Sequence, residues 1–167
     1  YVRRTDECIM AETSAKLTTF PAFIKVSGKR ALVVGNGEEA LAKCRLLAET
    51  DVEVTLAADA PAPDLAAYIE KSGINHIASA FTADLVQGAV LAFGATGDAA
   101  LDRAVVDAAR AAGVLANAVD QPDYCDFYTP ALVSRAPLAV AIGTEGAAPV
   151  LAQNIRAKID QMLSPQL

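Results

Sequence analysis

The run Gly35-Asn36-Gly37-Glu38-Glu39-Ala40 has the form G-x-G-x-x-[G/A] and directly follows the apolar stretch Arg30-Ala-Leu-Val-Val34. In such a turn the first glycine permits a tight reversal, the second lets the main chain approach a diphosphate, and the small last residue lets the following helix pack closely on the strand. The N–H groups that open that helix then meet the anion. Gly35, Asn36, Gly37 and Glu38 are therefore candidate cofactor-binding residues. Glu38 and Glu39 suit a helix N-terminus, although their charge sits awkwardly for phosphate. The same spelling also serves a plain strand-to-helix turn that needs glycine and binds nothing.

A dinucleotide site asks for an acid about 20 residues further on, to take a ribose hydroxyl. Asp59 stands just beyond the second apolar run, Val52 to Ala57. It is a candidate ribose ligand, and equally a residue that merely opens the turn Asp59-Ala-Pro-Ala-Pro63. No arginine stands beside it to receive a 2′-phosphate, which favours NAD over NADP. Ala95 and Thr96 follow the run Ala89 to Phe93 and could hold the nicotinamide half, or Thr96 could be only a turn residue before Asp98. Asp120 ends the run Val114 to Val119 and is the natural proton-transfer candidate beside a nicotinamide, with an Asp-Gln-Pro turn as its other reading. His76, the single histidine, reads as a packed or surface residue, and one histidine cannot build a metal site. Cys125 reads as packed.

These residues need a frame. Glu38 to Glu49 carries Ala40, Leu41, Cys44, Leu47 and Ala48 at helical spacing. A second helix is expected from Asp64 to Lys71 with Gly73 as its stop, and a third from the Asp98 cap through Ala112, halted by Gly113. Between them lie apolar runs at Arg30–Val34, Val52–Ala57, Ile74–Ile77, Ala89–Phe93 and Val114–Val119. Strands that alternate with helices require parallel pairing with right-handed crossovers, so the expected fold class is α/β, a Rossmann-like doubly wound parallel sheet. In such a sheet, ligands lie across the carboxyl ends of the strands. The Gly35 turn, Ala57–Asp59, Gly94–Thr96 and Val119–Gln121 should converge there. After Asp120 the pattern changes to a β-hairpin, Phe127–Val133 with Pro137–Ile142 about the link Ser134-Arg135-Ala136, and then a helix from Ala148-Pro149.

The chain of 167 residues is 53% hydrophobic and 20% charged, enough for one α/β core with a short extension. A net charge of -6 without any Lys/Arg run argues against nucleic acid and anionic lipid as partners. No apolar run is long enough for a membrane span, and three scattered cysteines fit a reducing, cytoplasmic setting. Residues 1–16 are expected to form a disordered upstream tail, 17–122 the NAD-binding Rossmann-like domain, and 123–167 the hairpin and helix extension.

Phe20-Pro-Ala-Phe23, Gly28-Lys-Arg-Ala-Leu-Val-Val-Gly35, Ala116-Asn-Ala-Val-Asp120-Gln-Pro122, Cys125-Asp-Phe127, Pro130-Ala131, Arg135 and the stretch from Ala141 to Arg156 stand in one order. Together they resemble the precorrin-2 dehydrogenase / sirohydrochlorin ferrochelatase part of siroheme synthase, from about Leu17 to Leu163. The resemblance implies NAD-dependent oxidation of precorrin-2 to sirohydrochlorin, and, in bifunctional members, insertion of Fe2+ as a substrate metal. It places the family's essential aspartate on Asp120, as catalytic residue and as candidate metal ligand. It also implies a homodimer, and tetrapyrrole contacts at Asn117, Arg135 and Thr144, where cations and the last helix N-terminus would meet substrate carboxylates. This chain departs from the family in its Gly-Asn-Gly turn, at Gly143-Thr144, and at Ala148 where a serine is common. Family members continue past the position of Leu167, so the extension is expected to be truncated. The rival readings are a non-catalytic NAD-binding regulatory module and a dehydrogenase of another small substrate.

Overall fold

The computed structural model describes residues 16–163, so the expected tail lies outside the described residues except for Lys16. Five parallel strands form the central sheet: β1 (Arg30–Val34), β2 (Glu53–Ala57), β3 (Asn75–Ile77), β4 (Ala89–Gly94) and β5 (Leu115–Ala118), in the order β3-β2-β1-β4-β5. Helices α1 (Glu38–Leu47), α2 (Pro63–Ser72) and α3 (Ala99–Ala111) make the crossovers, with a single 3-10 turn at Ala83–Val86 standing between β3 and β4. The doubly wound parallel sheet expected from the alternation is present.

Alternation along β1 divides the core. Ala31 and Val33 pack with Leu41, Cys44, Leu47, Leu56 and Leu65 on the α1/α2 side, whereas Leu32 and Val34 pack with Val86, Val105, Val106 and Ala109 on the α3 side. Because successive strand side chains point to opposite faces, a continuous apolar run is what a sheet covered on both sides demands. The helix limits follow local chemistry. Asp98 caps α3 by accepting the N–H groups of Ala100 and Leu101, α2 starts with proline, and Gly73 (φ 66°) ends it in the left-handed conformation.

The chain runs from β1 outward to β2 and β3, then returns to place β4 on the other side of β1. The loops after β1 and β4 therefore diverge and open a crevice at the carboxyl end of the sheet, the place where such folds take ligands.

The hairpin corrects the sequence reading. Its strands are β6 (Ala131–Arg135) and β7 (Leu138–Ile142), antiparallel, with Arg135 opposite Leu138 and only Ala136-Pro137 between them. Phe127 to Pro130 are not strand: Phe127 gives its carbonyl to Asn117, Thr129 takes the Lys43 ammonium, and Pro130 has no N–H for a ladder. Residues 123–129, assigned by sequence to the extension, are laced to β5, since Asp126 N–H donates to Ala116 O (2.8 Å) and Ala116 N–H to Asp126 Oδ2 (3.0 Å). Helix α4 (Pro149–Met162) packs on the hairpin.

Candidate dinucleotide site

Two glycines of the turn after β1 are needed for different reasons. Gly35 has φ 153°, and a Cβ there would stand 2.0 Å from the carbonyl oxygen of Ala95, so the close approach of the chain just after β4 excludes any side chain. Gly37 has ordinary extended backbone, and a Cβ on it would meet no protein atom within 4 Å. The fold thus dictates glycine at 35, while at 37 the missing side chain leaves open space at the start of α1. The first helical bond there runs from Leu41 N–H to Gly37 O, so the amides of Glu38, Glu39 and Ala40 open the helix without helical partners.

That space is a cleft of about 460 Å³ lined by Gly37, Glu38, Glu39, Ala42, Ala95, Thr96 and Gly97. Sequence reasoning had named four of these. The amides that open α1 are the donors this cleft offers to an anion, and Glu38 and Glu39 add two carboxylates to its lining.

Thr96 takes part in the turn before Asp98, one of the two readings its sequence offered. Its hydroxyl donates to Asp102 Oδ1 (2.7 Å) and accepts from Asp98 N–H (3.1 Å), so it is engaged within the loop. Asp102, only 2% exposed, also takes the Thr96 N–H at 3.0 Å. A Cβ on Gly94 would come within 2.9 Å of Asp102 Cα, so α3 approaches the end of β4 closely there. Asp102 was missed. Its signal was a carboxylate on the apolar stripe that contains Val105, Val106 and Ala109.

Asn36 and Asp59 are joined: Asn36 Nδ2 donates to Asp59 Oδ1 at 2.7 Å, which brings the end of β2 to the turn. Asp120 follows β5 with φ 59°, a left-handed conformation uncommon outside glycine and most tolerated by Asn and Asp. Val119 N–H bonds to Gly94 O (2.9 Å) and Gln121 N–H to Ala118 O (3.2 Å), which hold Asp120 exposed between them at the strand end.

The electrostatics tie Asp120 to α1. Burial raises the Glu39 carboxyl above its ordinary range, helped by the charges of Asp120 and Asp102 and opposed by Lys43. Burial lowers the Lys43 ammonium, against the attraction of Cys125, Asp120 and Glu39. Lys43 donates to Thr129 Oγ1 (3.2 Å) and lies 5.8 Å from the Phe93 ring centre. It too escaped sequence reasoning, although its place four residues after Glu39 on α1 was visible.

The remaining candidates sit elsewhere or face inward. Asn117 is buried, and its carboxamide donates to Phe127 O (2.9 Å) and Cys125 Sγ (3.2 Å), which fixes the loop after Asp120. Arg135 is on the hairpin and pairs with Asp160 of α4 at 2.8 Å, and its buried Nε has no partner among the described residues. Thr144 lies in the loop after β7, where its carbonyl accepts Ala147 N–H. His76 Nε2 is 2.8 Å from Ala58 O, a packed position. Cys125 donates to Ala118 O (3.2 Å) and burial pushes its thiol up, while the Cys44 thiol is pushed up to about 11. No described helix is long and apolar enough to cross a membrane.

Comparison with known proteins shows the family and the fold. The chain is 39% identical over 144 residues to "Siroheme synthase" of Chromobacterium violaceum, covering 86% of this chain and 31% of that protein. It is 40% identical over 147 residues to "Siroheme synthase" of Methylobacillus flagellatus, covering 88% and 32%. It therefore spans about a third of the length of these curated relatives. The solved structure titled "SirC, precorrin-2 dehydrogenase" superposes with a TM-score of 0.76 at 21% identity, over 88% of this chain and 72% of that one, which is a likeness of fold. Residues 22–131 match the family described as "Putative NAD(P)-binding". With β1, the glycine turn, the cleft and Asp120 all inside that match, the chain belongs to this NAD(P)-binding family.

Proposed function

We propose that this chain is an NAD-dependent dehydrogenase unit that oxidises precorrin-2 to sirohydrochlorin, with Asp120 as its catalytic residue. The observation that carries the reading is the place of Asp120, an exposed carboxylate at the end of β5, held there by a left-handed backbone and by the bonds of Val119 and Gln121 on either side. The names of the relatives supply the substrate class.

Oxidation of precorrin-2 removes two hydrogens, one as hydride and one as proton. Bound NAD+ supplies the hydride acceptor, and the released proton needs a base. In this reading the amides of Glu38 to Ala40 and the gap at Gly37 receive the diphosphate, Asp59 takes a ribose hydroxyl, and Ala95 and Thr96 shape the nicotinamide end. Asp120 accepts the proton. Asn117 holds the 125–127 loop so that Asp120 keeps its turn, and Arg135 and Thr144 belong to the tetrapyrrole side. Ferrous ion would be a second substrate, with Asp120 as its candidate ligand; among the described residues no group of three or more His, Cys, Asp or Glu could hold a metal.

A homodimer is supported by exposed Leu17, Phe20, Phe23, Val150, Leu151 and Met162, and sedimentation equilibrium should show twice the chain mass. A reducing, cytoplasmic setting is part of this reading, and Cys44 and Cys125 are unpaired among the described residues. The functional test is turnover of precorrin-2 with NAD+. Sirohydrochlorin absorbance should rise in step with NADH; binding of NAD+ with neither product formed would overturn the reading in favour of a regulatory module or a dehydrogenase of another small substrate.

A further inference from the structure

We infer that Asn36 is a positioning and specificity-determining residue for the dinucleotide: its carboxamide fixes one oxygen of Asp59 to the phosphate turn and leaves the other for a ribose hydroxyl. This rests on the cofactor reading given above and extends it to the choice between NAD and NADP.

Asn36 is bonded to the loop after β2 at three points. Its Nδ2 donates to Asp59 Oδ1 at 2.7 Å, its Oδ1 accepts the Ala60 N–H at 3.3 Å, and its main-chain carbonyl accepts the Ala62 N–H at 2.7 Å. The two ends of the carboxamide have complementary partners, a carboxylate for the N–H and an N–H for the carbonyl, so the group has one satisfactory orientation. Few residue types can do this. Aspartate at 36 would set a second carboxylate against Asp59, and glycine or alanine would offer neither contact.

Asp59 is exposed, and among the described residues its Oδ2 takes no hydrogen bond. Without the tether its side chain would be free to change rotamer in solvent. Fixed, it can accept from a ribose 2′-hydroxyl, whereas the same fixed charge repels a 2′-phosphate. One tether therefore raises affinity for NAD and lowers it for NADP.

A double-mutant cycle read by titration calorimetry with NAD+ and with NADP+ tests this on the full chain. Asn36→Ala should weaken NAD+ binding by about five- to tenfold when Asp59 is present, the net worth of one hydrogen bond at an exposed site. In the Asp59→Ala background the same change should cost no more than about twofold, the limit of independent sites. NADP+ binding to Asn36→Ala should hold or improve, a direction that general damage to the loop cannot produce. Equal losses of NAD+ affinity in both backgrounds, or parallel losses of both dinucleotides, would overturn the inference. A wild-type chain that binds neither dinucleotide removes the cofactor reading itself, a result distinct from a cycle without coupling.

Discussion

The carboxylate of Asp102, buried on the inner face of α3, accepts both the N–H and the hydroxyl of Thr96, at 3.0 and 2.7 Å. One helix residue thereby sets the loop that forms a wall of the cleft.

Thr96→Val keeps the side-chain shape and removes the hydroxyl donor, leaving a buried carboxylate with one bond fewer. Chemical denaturation should show a loss of about 1.5–3 kcal/mol, as for hydrogen bonds to charged groups. Unchanged stability would mean that Asp102 does not depend on Thr96.

Gly35→Ala and Gly37→Ala should separate fold from ligand. At 35 the added methyl would meet the Ala95 carbonyl oxygen, and the clash with the strained backbone should destabilise the chain by about 3 kcal/mol. At 37 nothing in the protein is touched, so thermal unfolding should stay near wild type while NAD+ affinity falls by about tenfold, because the diphosphate needs that space. Unaltered NAD+ affinity in Gly37→Ala would contradict the placement of the diphosphate.

Much of this frame was legible in advance. Strand and helix periods located all five parallel strands and the first three helices, and the turn chemistry of Gly35, Asp98 and Gly73 marked their ends, since each acts through neighbours a few residues away. Lys43 was not legible, because its partner Thr129 is 86 residues distant and only the folded chain brings α1 to that loop. Asn117 had been expected at the substrate. Its burial against Phe127 depends on a loop that the alternating pattern Phe127–Val133 disguised as a strand. Asp59 could not be told from a simple turn residue until Asn36 was seen bonded to it.

Glu39 gives a pH signature. Its carboxyl is raised, first by burial and then by the charges of Asp120 and Asp102. A group raised in the fold favours folding below its unfolded pKa, and that contribution is lost as pH rises through the folded value, so at neutral pH the ionised Glu39 opposes the fold. Glu39→Gln should accordingly be more stable than wild type at neutral pH, with the difference vanishing below the ordinary glutamate range near pH ~4. Denaturation curves at the two pH values check this; a variant less stable at neutral pH would contradict the sign.

The most direct measurement compares wild type and Asp120→Asn, with NAD+ affinity by calorimetry beside precorrin-2 turnover. The substitution preserves size and tolerance of the left-handed backbone, so NAD+ affinity should stay within about twofold. Sirohydrochlorin formation should fall by about a hundredfold or more with the loss of the base. Turnover at the wild-type rate would contradict the role of Asp120 and leave the chemistry of this cleft to another group.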